Sequence, residues 1–124
     1  MEKVLNKRQI GCKYEELAAA YLVKKGYKII EKNYHAGRYG ELDIIAEDEE
    51  GTLVICECKY RSKSKWQDPS AAVDVKKQRQ ICRTALYYCM KRGYGVEHPC
   101  RFDVIAIYGD ESIRHIENAF EFRR

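Results

Sequence analysis

No stretch of this chain approaches the ~18 consecutive apolar residues that crossing a bilayer requires. Its opening, MEKVLNKRQIG, lacks the apolar run of a secretory signal. A cytoplasmic protein without a membrane partner is therefore expected. The six cysteines include no CxxC pair. Cys56-x-Cys58 taken with Cys82, Cys89 or Cys100 has poor spacing for zinc. Cys56 and Cys58 fall on the apolar side of a predicted strand, and Cys82 and Cys89 lie two turns apart in a predicted helix. They read as small buried hydrophobes in a reducing compartment, so all six are expected to be free thiols. Repeats, linkers and low-complexity tracts are also absent. With 124 residues, 45% hydrophobic and 34% charged, the chain reads as one domain over residues 1–124, large enough for a real core. An excess of one charge is missing too, since the net charge is only +4. The distribution is nevertheless uneven. Six acids fall between Glu41 and Glu50, while Lys59, Arg61, Lys63 and Lys65, then Lys76, Lys77, Arg79 and Arg83, form basic clusters. Such unevenness favours a polyanion as partner, against the blander reading of solvated faces.

The organising stretch is GELDIIAEDEEGTLVICECKYR, Gly40 to Arg61. Gly40–Asp48 and Thr52–Tyr60 alternate as strands, and Glu49-Glu50-Gly51 reads as a three-residue turn closed by a left-handed glycine. That turn sets Asp48 opposite Thr52, and hence Asp43 opposite Glu57 and Glu41 opposite Lys59. Alternation then places Glu41, Asp43, Glu57 and Lys59 on one face, with Ile45, Leu53 and Ile55. Leu42, Ile44, Ala46, Val54, Cys56 and Cys58 take the other. Two carboxylates opposed across a strand pair repel unless a cation lies between them, and a hard divalent ion is the simplest candidate. A solvated sheet face is the competing account. The apolar neighbours on the same face argue that the face is covered.

Around this hairpin, Lys7–Lys25 reads as a helix with Ile10, Tyr14, Leu17, Ala18, Tyr21 and Leu22 at helical spacing, stopped by Gly26. Tyr27–Tyr34 alternates imperfectly, which suggests an outer strand. Residues 35–39 form a loop. After Lys59 a basic segment carries Trp66, whose ring either stacks on a base or anchors the loop. Asp68-Pro69 reads as the start of a second helix that runs to about Arg92 and is ended by Gly93. Arg101–Tyr108 reads as an interior strand and Ser112–Glu117 as a short last strand. The order is α-β-β-β-α-β-β, an α/β fold with a central mixed sheet of about five strands flanked by helices.

Asp43 followed by Glu57-Cys58-Lys59 resembles the PD-(D/E)xK pattern of metal-dependent nucleases. The chain also resembles the YraN-like family of small bacterial proteins. That resemblance lies in Gly11 with Glu15 and Ala18, GELDIIA, ECKYR, Ala72-Val73 with Lys77-Gln78, RFDV at 101–104 and NAF at 118–120. It implies a restriction-endonuclease-like fold, similar to archaeal Holliday-junction resolvases. It implies Mg²⁺ or Mn²⁺ as cofactor, with Asp43 and Glu57 as metal-binding carboxylates and Glu15 as a third. Lys59 matches the lysine that acts on the water or the phosphate. The implied activity is endonucleolytic hydrolysis of DNA, branched or damaged DNA included, with a homodimer among the expected assemblies. Tyr14 stands where many members carry Gly, and Glu41, on the Asp43 face, has pairing with Lys59 as its simplest role. Arg61, Lys63, Lys65, Lys77 and Arg83 are the expected nucleic-acid contacts. Two alternatives remain open: a non-catalytic nucleic-acid-binding protein that keeps the fold, and a domain whose charged face docks a protein.

Overall fold

A computed structural model describes residues 6–61 and 73–123. Helix α1, Lys7–Lys24, begins in a capping box. The Asn6 side chain accepts from the Gln9 N–H at 2.9 Å, and the Gln9 side chain takes the Asn6 N–H at 3.0 Å. Strand β1 is Lys28–His35, a 3-10 turn spans Gly37–Tyr39, β2 is Glu41–Glu47 and β3 is Leu53–Arg61. Helix α2, Val75–Arg92, crosses over to β4, Cys100–Tyr108, and β5, Ile113–Phe120, ends the fold. The five strands lie in chain order, with β3 and β4 parallel and the other neighbours antiparallel. The element order and the mixed sheet agree with the expectation, as do the edge place of β1 and the interior place of β4. All six cysteines are free.

Each sheet face is covered by one helix. On the α1 side Ala18 and Leu22 pack on Ile44, Ala46, Val54, Cys56, Ile105 and Ile107. On the α2 side Ile81, Ala85 and Tyr88 pack on Leu42, Ile45, Leu53, Ile55, Phe102 and Val104. The β2–β3 turn has the expected form. Gly51 is left-handed at φ 86°, its N–H reaches the Asp48 carbonyl at 3.1 Å, and Asp48 N–H reaches the Thr52 carbonyl at 3.0 Å. Pairing accordingly runs Glu47↔Leu53, Ala46↔Val54, Ile45↔Ile55 and Ile44↔Cys56.

Three expectations are corrected. Leu42 packs with Ile45 rather than with Ile44, so alternation along β2 breaks at Asp43. The pairs Lys32↔Ile44 and Tyr34↔Leu42 leave Asn33 facing that break. Asn33 sits at φ 52°, a left-handed conformation that asparagine tolerates better than most residues. A pattern argument assumes the strand stays regular, and here both strands of the pair do not. The second correction concerns the helix after the basic segment. Asp68-Pro69 and Trp66 lie outside the described residues, but Val73 and Asp74 are not helical and α2 starts at Val75. Its cap is Asp74, whose carboxylate accepts from the Lys77 N–H at 2.8 Å. The sequence offers two Asp caps six residues apart, and the nearer one starts this helix. The third correction is that β5 runs to Phe120, past Asn118 at φ 51°, beside a register shift between Phe102 and Val104.

Opposite that shift lies a second buried acid. Asp103 is fully buried on β4 and accepts from Arg101 Nε at 2.9 Å and Nη2 at 3.0 Å, and from the Asn118 N–H at 3.0 Å. His115 Nε2 lies 2.6 Å from its other oxygen. Nε2 therefore carries the proton, and Nδ1 is left to accept from Tyr21 and Lys25 at 3.3 and 3.2 Å. Burial alone would raise the Asp103 carboxyl, but these donors override it and hold it below its usual range. The cluster ties α1, β4 and β5 together. Asp103→Ala removes the carboxylate that Arg101 and His115 share, leaving Arg101 with Asp48 at 3.6 Å and the Tyr27 hydroxyl, and is expected to cost about 3 kcal/mol in urea unfolding at pH 7. Because the folded carboxyl is depressed, its stabilisation is present above the unfolded value of 3.8 and lost as pH falls through the folded one. A cost below about 1 kcal/mol would mean the cluster is incidental to the fold.

Candidate functional site

The β2–β3 ladder ends at Ile44↔Cys56, and Asp43 and Glu57 stand just past that last pair. There the side chain takes over from the backbone. Asp43 Oδ2 accepts from the Cys58 N–H at 2.9 Å, which turns the carboxylate toward β3. The break at Asp43 and the left-handed Asn33 opposite it are what permit this turn. Glu57 is 7% exposed, and its carboxylate lies 3.7 Å from Lys59 Nζ.

The electrostatics are those of two acids short of cations. Burial pushes the Glu57 carboxyl up, the Asp43 charge adds to it, and Lys77 and Lys59 only partly oppose them, leaving it at about 7. Asp43 is raised as well, mainly by burial, against the Cys58 N–H and the charges of Lys77 and Lys59. A hydrogen bond between the two carboxyls stabilises the charge on Asp43 and the proton on Glu57. Glu15, half-buried on α1, is raised by burial and relieved by a hydrogen bond from the Asn33 side chain. It also feels the charges of Asp43 and Glu41.

The structure thus brings Asp43, Glu57 and Lys59 together, with Glu15 on the α1 side and Lys77 on the α2 side. Glu41 stays apart from Lys59. It is exposed, and its nearest basic group is His35, at 3.8 Å. Arg61 is exposed at the end of β3. Arg83 lines an open groove with Leu86 and Met90, on a flank of α2 that carries none of the site residues. Lys63 and Lys65 lie outside the described residues. One contributor was not foreseen, and another was expected in a different role. Lys77, expected as a nucleic-acid contact, enters as a charge on the carboxylates. Asn33 shapes the strand and holds Glu15; its signal was an asparagine inside a predicted strand. Gly40 also matters: its φ of 125° strains any other residue, and a Cβ there would stand 2.8 Å from Gln80 Nε2 and 3.0 Å from Thr84 Oγ1 on α2.

Among the described residues no three His, Cys, Asp or Glu side chains converge closely enough to hold an ion by themselves. Two adjacent carboxylates, both under-compensated, still fit a hard divalent ion of the kind that keeps its waters and takes further oxygens from a phosphate. Asp43 and Glu57 are the residues that would hold it.

A profile of the family described as "Uncharacterised protein family UPF0102" matches residues 14–107. A UPF0102 protein of Thermodesulfovibrio yellowstonii is 46% identical over 114 residues, covering 90% of this chain and 96% of that one. Among solved structures, one described as "Structure of EndoMS-dsDNA2 complex" overlaps 87% of this chain and 37% of its own, at 18% identity and a TM-score of 0.42. A repair endonuclease from Pyrococcus abyssi overlaps 87% and 40%, at 16% identity and a TM-score of 0.41. The chain spans well under half the length of those two, and such overlaps are too loose to carry an activity across.

The raised Glu57 gives a pH signature. Its folded value of about 7 exceeds the 4.5 of an unfolded glutamate. In EDTA, the cost of this group is therefore nil below pH 4.5 and grows as pH rises through 7, to about 3 kcal/mol at 1.36 kcal/mol per pKa unit. Glu57→Gln should equal wild type in thermal stability near pH 4.5 and exceed it by several degrees at pH 8. Parallel pH profiles for the two proteins would remove Glu57 as a strained acid.

Proposed function

The chain belongs to the family described as Uncharacterised protein family UPF0102, and we propose that it is a divalent-cation-dependent endonuclease hydrolysing phosphodiester bonds in DNA. The observation that carries this is the Asp43–Glu57 pair at the end of the β2–β3 ladder, Glu57 buried and Asp43 half-buried, with Lys59 3.7 Å from Glu57. An acid pair kept short of cations has little structural use and suits a cation that arrives from solution with the substrate. The PD-(D/E)xK resemblance, and with it the restriction-endonuclease-like class, falls on these same three residues.

In this reading Asp43 and Glu57 hold Mg²⁺ or Mn²⁺, with Glu15 in reserve on α1. When bound, such a cation supplies Lewis acidity toward the phosphate and lowers the pKa of water. The chain's own groups do the rest. The Cys58 N–H fixes the orientation of Asp43. Lys59, an ammonium without a lone pair for a metal, sets positive charge where negative charge develops on the phosphate in the transition state. Lys77 counters the carboxylate charge from α2, and Arg61 offers a phosphate contact at the end of β3. Non-catalytic DNA binding is the second reading, favoured by the lack of a three-ligand cluster among the described residues.

The test is cleavage of nicked, branched and duplex DNA in Mn²⁺ and in EDTA. Wild type should cut in Mn²⁺ alone. Lys59→Ala should lose roughly 10²–10³ in rate while keeping metal and DNA binding. Asp43→Ala should lose metal binding and turnover together and keep or tighten DNA binding, since one negative charge leaves the phosphate path. Equal metal-dependent cleavage by wild type and Lys59→Ala would sink the nuclease assignment. No cleavage of any DNA under any divalent ion would hand the site to the binding reading. Affinity should fall with salt, each phosphate contact adding about 0.9 to the logarithmic slope on duplex DNA.

A further inference from the structure

Two tyrosine pairs stack face to face at the surface, on elements that flank the carboxylates from opposite sides of the sheet. On the α1 side the Tyr14 and Tyr60 rings lie 4.2 Å apart at 18°. Tyr14 directly precedes Glu15, and Tyr60 directly follows Lys59. On the α2 side Tyr39 and Tyr87 lie 5.0 Å apart at 24°. Tyr39 comes two residues before Glu41. Its carbonyl accepts from Thr84 Oγ at 2.8 Å, which fastens the 3-10 turn to the helix that carries Lys77. Tyr60 and Tyr39 are each 38% exposed.

Flat stacking also occurs in the core, where Phe102 and Phe120 lie 5.1 Å apart at 16°, and Arg92 lies 5.4 Å from the buried Tyr88 ring. What sets the two surface pairs apart is that each leaves one ring open to solvent beside the site, Tyr60 and Tyr39. Both pairs also have cations beside them. Lys13 Nζ lies 5.8 Å from the Tyr14 centroid, the Arg38 guanidinium 5.6 Å from Tyr39 and Lys91 Nζ 5.7 Å from Tyr87. Flat aromatic rings flanked by cations are how proteins hold single strands: bases stack on the rings and phosphates pair with the charges. In a duplex each base face already stacks on its neighbour, so these rings would have nothing to receive.

We propose that the Tyr14–Tyr60 and Tyr39–Tyr87 pairs are stacking platforms for unpaired bases on either side of the carboxylates, so that the chain's ligand is a strand with unpaired nucleotides. The position of the scissile phosphate between the platforms rests on the nuclease reading; the stacking itself does not. Binding is measured without turnover, by fluorescence anisotropy at fixed salt, in Ca²⁺ and again in EDTA. The probes are oligo(dT), oligo(rU) and a DNA duplex, each about 20 nucleotides long, longer than the ~4–16 nucleotides of a usual single-strand site. A strand of either kind should bind more tightly than the duplex, and the two strands together tell DNA from RNA. Tyr60→Leu and Tyr39→Leu should each weaken single-strand binding about 5- to 150-fold with the duplex unaffected. Tyr60→Phe and Tyr39→Phe keep the ring and should keep the affinity, which separates stacking from damage to the fold. A duplex bound as well as the strand, Leu variants with unchanged affinity, or no strand binding in either buffer overturns the platforms. Duplex cleavage with unaltered Leu variants removes the platforms and leaves the nuclease. Stacking without any cleavage does the reverse.

Discussion

The register of β2 against β3 is the constraint on which the rest of the site depends. It is set by one local device, the turn closed by Gly51, with Asp48 accepting from the N–H groups of Glu50 and Thr52 at 2.9 Å each. A strand has a side-chain period of two, so a slip of one residue would exchange the faces of Glu57 and Lys59 with those of Cys56 and Cys58. The apolar residues on both faces forbid that slip, since each face is buried under its own helix. The same burial that builds the core therefore holds the carboxylates in place.

The sheet contains two buried acid centres, handled in opposite ways. Asp103 is matched on every side by Arg101, His115 and the Asn118 N–H, and its proton affinity is lowered. Asp43 and Glu57 receive one N–H and two lysines at a distance, and their proton affinities are raised. Buried charge that is fully compensated stabilises a fold or at least does not endanger it, whereas buried charge left short weakens it. The second arrangement makes sense where a ligand completes it, as the proposed function requires.

Much of this was legible in the residues, and the failures have physical causes. The hairpin register followed from loop length and one glycine, both local properties. The sandwiching of the sheet followed from apolar residues on both strand faces. The side on which Leu42 lies did not follow, because a left-handed Asn33 on the neighbouring strand breaks the alternation, and pairing between strands is invisible in a one-dimensional pattern. Glu41 was assigned to Lys59 by register, but its own exposed neighbour His35 is nearer. Lys77 was expected as a nucleic-acid contact. Its influence on the carboxylates arises only when α2 docks, and nothing in its local sequence marks that. Asp103 was visible as part of a motif, without any sign of the donors that converge on it from β5 and the start of β4.

The irregularities in the outer strands have a consequence for how copies of this molecule meet. β1 carries a register shift between Ile29 and Glu31 and the left-handed Asn33, and β5 carries the left-handed Asn118 beside its own register shift. Kinked, charged outer strands are poor templates for another strand, because the free N–H and C=O groups no longer form an even row. Both rims of the sheet are thus closed to lengthening by a neighbour. Such rims discourage the strand-to-strand stacking that begins fibrous aggregates.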